Sequence, residues 1–297
     1  MKTGIFVDAE NIRLCGGYGM DYRILLDIAR AGGHEILRAN TYVVLDEEKA
    51  SRDIEYKTKI DNYFRRIREQ GFKISITLVK RYRDAETDEI RIKANADIDL
   101  TVDALTQSQR LERVILCTGD GDFAPLATAL QSQGLRVEVI AFENVSENLI
   151  RVADSFYRGF LLPGLLRNSL QRRDEPSALY QGMIESLGQE GSYGFVYLFD
   201  WQENGGIQRK SYFFHENNLP RGLRINDLTS KHLLTFSLVD NSQYKPGTKK
   251  AIVSDYRILD QDSRSARPQS VTPSPDFIPR ASREDVESED VPPIPPS

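Results

Sequence analysis

The sequence predicts an α/β chain: a doubly wound parallel sheet, then a small all-β barrel, then a disordered tail. Three observations predict it. Short uninterrupted apolar runs alternate with segments of helical period through about the first 160 residues, the pattern of a parallel sheet covered by helices. Two of these runs, Ile5-Phe6-Val7 and Val114-Ile115-Leu116-Cys117, are followed at once by Asp8 and by Thr118-Gly119-Asp120-Gly121-Asp122. After about residue 190 the pattern changes to short alternating strands separated by glycine turns.

Lys2 to Asp8 opens the chain as a strand, and a loop with Gly16, Gly17 and Gly19 leads to a helix over Tyr22 to Ala31. Thr41 to Leu45 is the second strand. From Arg52 to Gln70, Tyr56, Ile60, Tyr63, Phe64 and Ile67 recur at helical spacing with charges between them, an amphipathic helix docked on a sheet. Phe72 to Leu78 alternates, and Lys80 to Ile92 reads as a charged turn or hairpin. Ala96 to Leu105 has helical period, which puts Ile98, Val102 and Leu105 on its core face and Asp99 and Asp103 together on an adjacent one. Val114 to Cys117 reads as a buried strand, and Phe123 to Gln133 as a helix closed by Gly134. Arg136 to Phe142 is a further strand and Ser146 to Tyr157 a further helix, with Leu149, Ile150 and Val152 inside.

In open α/β sheets the ligand crevice lies beyond the carboxyl ends of the strands. Asp8, Asp97, Asp120 and Asp122 are therefore expected to converge at one edge. Two carboxylates 4 Å apart repel by roughly 4 kcal/mol at an effective dielectric near 20, so they share a proton or hold a cation. A hard divalent cation suits oxygen ligands. The same residues have plainer readings: Gly-Asp-Gly-Asp is good turn chemistry, Asp122 is placed to cap a helix, and Asp97 sits at a helix start.

Composition narrows the classes. The chain has 297 residues, net charge −5 and two cysteines, Cys15 and Cys117. Two thiols support neither a disulfide scaffold nor a thiolate zinc site. No apolar run approaches the roughly 20 residues of a membrane span and no signal peptide is recognisable, so the expectation is a soluble, cytoplasmic protein without membrane partners. Residues 261–297 carry seven acids against four arginines, leaving the folded part nearly neutral. Arg65-Arg66 with Arg68, and Lys80-Arg81 with Arg83, read as phosphate-contacting clusters or as solvated faces. His34 and His232 read as structural histidines.

Taken together, Phe6-Val7-Asp8-Ala9-Glu10-Asn11-Ile12, Asp97-Ile98-Asp99-Leu100-Thr101-Val102-Asp103-Ala104-Leu105 and Thr118-Gly119-Asp120-Gly121-Asp122-Phe123, with Leu126, Gly134 and Ala153-Asp154-Ser155-Phe156, resemble the NYN domain of the PIN-like ribonucleases, LabA-like branch. The resemblance covers roughly residues 1–160. It implies a Rossmann-like sheet and an acidic pocket that binds Mg2+ or Mn2+ and hydrolyses RNA phosphodiesters; an endonuclease is favoured over an exonuclease, with the mode left open. Position by position, Asp8, Asp97, Asp120 and Asp122 fall on the catalytic, metal-binding acids, Asp103 on the second helical acid, which the resemblance also makes a metal ligand, and Asn11 on a substrate-positioning polar residue. Lys93-Ala94-Asn95-Ala96 departs from the family's usual Lys-Gly-Val, so Lys93 is given no role.

In the second region, Tyr193-Gly194-Phe195-Val196 and Phe213-Phe214-His215, followed by Leu219, Phe236 and Gly247 to Val253, resemble a cold-shock domain of OB-fold type. Periodicity alone leaves these aromatics in the core. The resemblance makes Tyr193, Phe195, Phe213 and His215 an RNA-binding platform, each stacked base contributing about 1 to 3 kcal/mol. Basic framing is thin, because Gly191-Ser192 replaces the usual lysine.

The expected organisation is thus a nuclease domain over 1–162, a linker over 163–187, a barrel over 188–260 and a disordered, proline-rich tail over 261–297. The expected function is a metal-dependent ribonuclease whose barrel holds single-stranded RNA. The alternative is a non-catalytic regulatory RNA-binding protein. A small-molecule phosphoryl-transfer enzyme is a third class, disfavoured because no Gly-x-x-x-x-Gly-Lys-Ser/Thr loop is present. A protein partner for the tail and a homo-oligomer are left open, as is RNA against DNA, since only contacts to a 2′-hydroxyl discriminate them.

Overall fold

The computed structural model describes residues 1–83, 90–93, 95–166, 179–188, 191–242 and 247–259. The expected tail lies outside these residues. The first part is built from strands β1 (Lys2–Asp8), β2 (Glu35–Leu45), β3 (Lys73–Leu78), β4 (Lys80–Arg83), β5 (Ile90–Lys93), β6 (Arg113–Cys117), β7 (Arg136–Ala141) and β8 (Ser155–Arg158). Between them run helices α1 (Ala9–Ile12), α2 (Tyr22–Arg30), α3 (Glu47–Arg52), α4 (Ile54–Glu69), α5 (Ala96–Gln107), α6 (Ala124–Ser132) and α7 (Glu147–Val152). Six strands form one parallel sheet in the order β3-β2-β1-β6-β7-β8, while β4 and β5 pair as a separate antiparallel hairpin.

β1 and β6 are uninterrupted apolar runs because they are central and covered on both faces. Ile5, Val7, Ile115 and Cys117 join α2 in one core, while Phe6, Val114 and Leu116 join α5 and α6 in the other. Helix starts follow capping chemistry: Asp21 accepts from the N–H groups of Arg23 and Ile24, Asp46 from Lys49, and Asp53 from Tyr56. β2 lies on one side of β1 and β6 on the other, so successive crossovers leave β1 in opposite directions and open a crevice at the carboxyl ends of β1 and β6.

The second part is a closed five-stranded barrel of β9 (Leu179–Leu187), β10 (Tyr193–Trp201), β11 (Ile207–His215), β12 (His232–Asp240) and β13 (Lys249–Ile258), in the order β10-β11-β13-β12-β9. All neighbours are antiparallel except β11 and β13. Val196, Leu198, Phe214, Leu234, Phe236, Ala251 and Val253 fill it. The barrel leans on the first domain: Met183, Leu233 and Leu259 share a core with Ile140, Phe142 and Leu161, and Phe199 meets Tyr157 edge to face at 5.5 Å. Arg257 pairs with Glu143 at 2.7 Å and covers the Phe160 ring.

Phe142 lies under two glycine backbones at this junction. A Cβ on Gly17 would meet its ring at 2.5 Å, and one on Gly159 at 2.4 Å. Gly159→Ala is therefore expected to destabilise the protein by about 1 to 3 kcal/mol, measured by urea unfolding.

Three expectations are corrected. The helix expected over Ser146 to Tyr157 ends at Val152, and β8 follows it. The cause is Asp154, whose N–H and carboxylate bond the carbonyl and N–H of Val137 and hold the chain extended beside β7. In α5 the core face is Ala96, Leu100 and Ala104, whereas Ile98 and Val102 are 57% and 53% exposed and Leu105 is partly buried. Tyr42 and Thr77 hold Asp103 and Asp99, turning the helix so that alanines meet the sheet. The stretch expected as linker contains β9, a full barrel strand. Tyr193, Phe195 and Phe213, by contrast, lie outside the barrel core as their motif leads one to expect, in the opposite alternation to Val196 and Phe214.

No helix among the described residues is long and apolar enough to cross a membrane.

Candidate active site

Asp8 closes β1 and starts α1, and its position is fixed by two bonds. One carboxylate oxygen accepts the Asn11 N–H at 3.0 Å, and the other accepts the Thr118 hydroxyl at 3.3 Å. Thr118 Oγ1 in turn accepts the Asp120 N–H at 3.2 Å. Asn11 Oδ1 accepts the Gly119 N–H at 2.8 Å, so the turn after β1 and the turn after β6 are stitched together. Asp120 Oδ1 then caps the following turn by accepting the Asp122 N–H at 2.9 Å. Of the two glycines in this turn, Gly121 is the one that needs the space. A Cβ on Gly121 would meet Ser146 Oγ at 2.5 Å, whereas one on Gly119 would make ordinary contacts with Val145 and Asn11.

Asp8 is only 7% exposed. Burial pushes its pKa up to about 7, against the Asn11 and Thr118 hydrogen bonds, and the charges of Asp97 and Asp120 push it further the same way. Three of the expected acids therefore act on one another here. Asp97 reaches the group from the exposed first turn of α5. Asp122 is exposed, one turn beyond Asp120. Asp103 lies apart from them, its carboxylate accepting the hydroxyl of Tyr42 at 2.9 Å. Tyr42 is the β2 partner of Asp8, which makes Asp103 a neighbour of the site through the sheet.

Among the described residues no three His, Cys, Asp or Glu side chains are grouped closely enough to ligate one ion as they stand. The donor chemistry nevertheless fits a hard divalent cation. The converging groups are all carboxylates, and a cation would relieve the mutual repulsion that raises Asp8.

The sequence profile of the NYN domain matches residues 2–162. The chain belongs to the NYN domain family. This is a PIN-like nuclease family, and the parallel sheet is that of its fold. Among solved structures, a protein of unknown function from Vibrio parahaemolyticus RIMD 2210633 shares 25% identity, with 53% of this chain and 91% of that one covered and a TM-score of 0.41. An oxidoreductase from Sinorhizobium meliloti shares 12%, with 90% and 80% covered and a TM-score of 0.27. Both are too distant to inform the site. No curated protein matches the chain.

Three further groups around the NYN site had no sequence signal of their own. Thr118 sits inside the central motif, yet only the fold shows it bridging Asp8 and Asp120. Burial, then Asp8, Glu143 and Asp120, raise the Cys15 thiol to about 11, so Cys15 stands at the rim as an inert neutral group. Glu143 follows β7 and is tied to the barrel by Arg257. Arg81, one of the basic cluster, is engaged by Asp46 and Glu48 at 2.5 and 2.9 Å.

On the barrel, Tyr193 stacks on Phe213 at 5.9 Å, and Phe195 meets both rings edge-on. The register puts Tyr193 opposite His215 and Phe195 opposite Phe213, so all four expected residues lie together on β10 and β11. Tyr193 is 37% exposed. Beyond Phe195 the outer row changes use: Arg209 covers Tyr197 at 3.7 Å, and Phe199 and Trp201 pack on the NYN domain.

Proposed function

We propose that the protein is a Mg2+- or Mn2+-dependent ribonuclease that cuts RNA at the Asp8 crevice while the barrel holds the single strand. The observation that carries this reading is Asp8: a buried carboxylate at the β1/β6 switch point whose ionised form is opposed by Asp97 and Asp120. Asp8, Asp97 and Asp120 would hold the ion, with Asp122 and Asp103 as bordering acids. Bound there, such an ion supplies a Lewis acid and neutralises charge at the scissile phosphate. Asn11 spends its carbonyl on Gly119, and its amide group is left to donate to a phosphate oxygen. Thr118 keeps Asp8 and Asp120 in register.

The platform reading is supported by exposure and by topology. Counted from β9, the barrel strands close in the order 1-2-3-5-4 with a single parallel pair, and the aromatics sit on strands 2 and 3, the face with which OB-folds bind oligonucleotides. Ring faces on Tyr193, Phe195, Phe213 and His215 stack bases with little regard to sequence.

Labelled single-stranded RNA incubated with the full chain in magnesium, in manganese and in chelator tests the whole reading. Cleavage is expected with either metal and none in chelator. Tyr193→Ala with Phe213→Ala is expected to weaken RNA binding by about 10- to 100-fold or more, from stacking alone. Binding without cleavage in every metal condition would establish instead a regulatory RNA-binding protein.

A further inference from the structure

At the amino-terminal ends of the parallel strands, about 20 Å along β1 from Asp8, the NYN domain and the barrel enclose a cleft of about 590 Å³. One side is polar. Arg113 donates to the Ala29 carbonyl at 3.0 Å and to Glu138 at 2.6 Å, and its Nε is buried with no acceptor among the described residues. Glu138 also takes Arg136 Nε at 2.8 Å, so its carboxylate is shared between two guanidinium groups. His34 borders them, close enough that burial and then the Arg113 charge lower its pKa.

Another part of the lining is aromatic, formed by Tyr157 of the NYN domain and Phe199 of the barrel, edge to face at 5.5 Å. The turn between β10 and β11 closes the rim with two side-chain amides, Gln202 and Asn204. None of these groups takes part in the chemistry proposed at Asp8. An apolar ligand would leave Arg113, His34 and the two amides unused, and a bare anion would leave the rings unused.

We propose that this cleft binds a nucleoside monophosphate, base against Tyr157 and Phe199, base edge toward Gln202 and Asn204, and phosphate toward Arg113 and His34. The volume falls in the range of small-ligand sites. Guanidinium groups suit phosphate, amides read base edges, and aromatic rings take base faces. A free nucleotide and the phosphorylated end of a strand present this same chemistry.

Trp201, the single tryptophan of the chain, adjoins Gln202 and packs on the same core, so its fluorescence reports on the cleft. The full chain, in chelator, is titrated with AMP, UMP and inorganic phosphate. The expected result is a saturable response to a nucleotide, with phosphate requiring at least about tenfold more. His34→Ala with Asn204→Ala should weaken that response about tenfold or more, while Phe213→Ala and Asp120→Asn should leave it unchanged. A 5′-phosphorylated RNA that competes assigns the strand end as the ligand's source, and one that does not assigns the free nucleotide. No saturable response, equal binding of phosphate, or loss in Phe213→Ala with retention in the His34/Asn204 variant would overturn the proposal. Because the titration needs neither metal nor cleavage, its outcome is independent of the nuclease reading.

Discussion

Asp120→Asn is expected to lower metal-dependent RNA cleavage by on the order of 10³-fold, with folding and RNA binding retained. Metal-assisted charge stabilisation contributes several kcal/mol to such reactions, and each 1.36 kcal/mol is a factor of about ten. Asparagine keeps the bond that Asp120 Oδ1 accepts from the Asp122 N–H, so the turn survives and only the charge is lost. The checks are the single-turnover rate in magnesium, the melting temperature, and affinity for RNA in chelator. Undiminished cleavage by the purified variant would remove Asp120 from the proposed ligand set.

The second large effect concerns stability against pH. Asp8 carries a folded-state pKa of about 7 against an ordinary value of 3.8. Below about pH 4 the group is protonated in both folded and unfolded chains and costs nothing. Between about pH 4 and pH 7 the unfolded chain gives up this proton while the folded chain keeps it, so stability falls by roughly 4 kcal/mol across that window and the loss is complete above it. Asp8→Asn should therefore melt several degrees above the parent at pH 8 without divalent cation and at the same temperature near pH 4. Adding magnesium at pH 8 should raise the parent and leave the variant nearly unmoved. Differential scanning fluorimetry across pH reads both results. A variant that melts below the parent at pH 8 would show that the carboxylate stabilises the fold.

The ends of β1 and β6 were legible in the sequence because an uninterrupted apolar run followed by an acid has few other structural meanings. The rotation of α5 was not. Hydrophobicity ranks Ile98 and Val102 above Ala96 and Ala104, but the helix is turned by the Tyr42–Asp103 and Thr77–Asp99 hydrogen bonds, between residues 61 and 22 positions apart. β9 was hidden for a related reason. Gly182 interrupts it because a Cβ there would lie 2.7 Å from the Tyr197 carbonyl and from Val196, a requirement set by the neighbouring strand. The outward face of Tyr193, Phe195 and Phe213 was legible only through their motif, since alternation alone fixes which residues share a face but not which face is inside.

The outer row of β10 does two jobs along one strand. Its first half is exposed aromatic surface, and its second half, from Tyr197 to Trp201, is packed against the NYN domain in the same core as Met183 of β9 and Leu233 of β12. Truncation between the two units, the usual way of assigning binding to one half and cutting to the other, would strip the cover from Tyr157, Phe160 and Leu161 and leave a sticky, misbehaving fragment on each side. For this chain, dissection by point substitution is the sound route, and a dead fragment would say nothing about which half holds the chemistry.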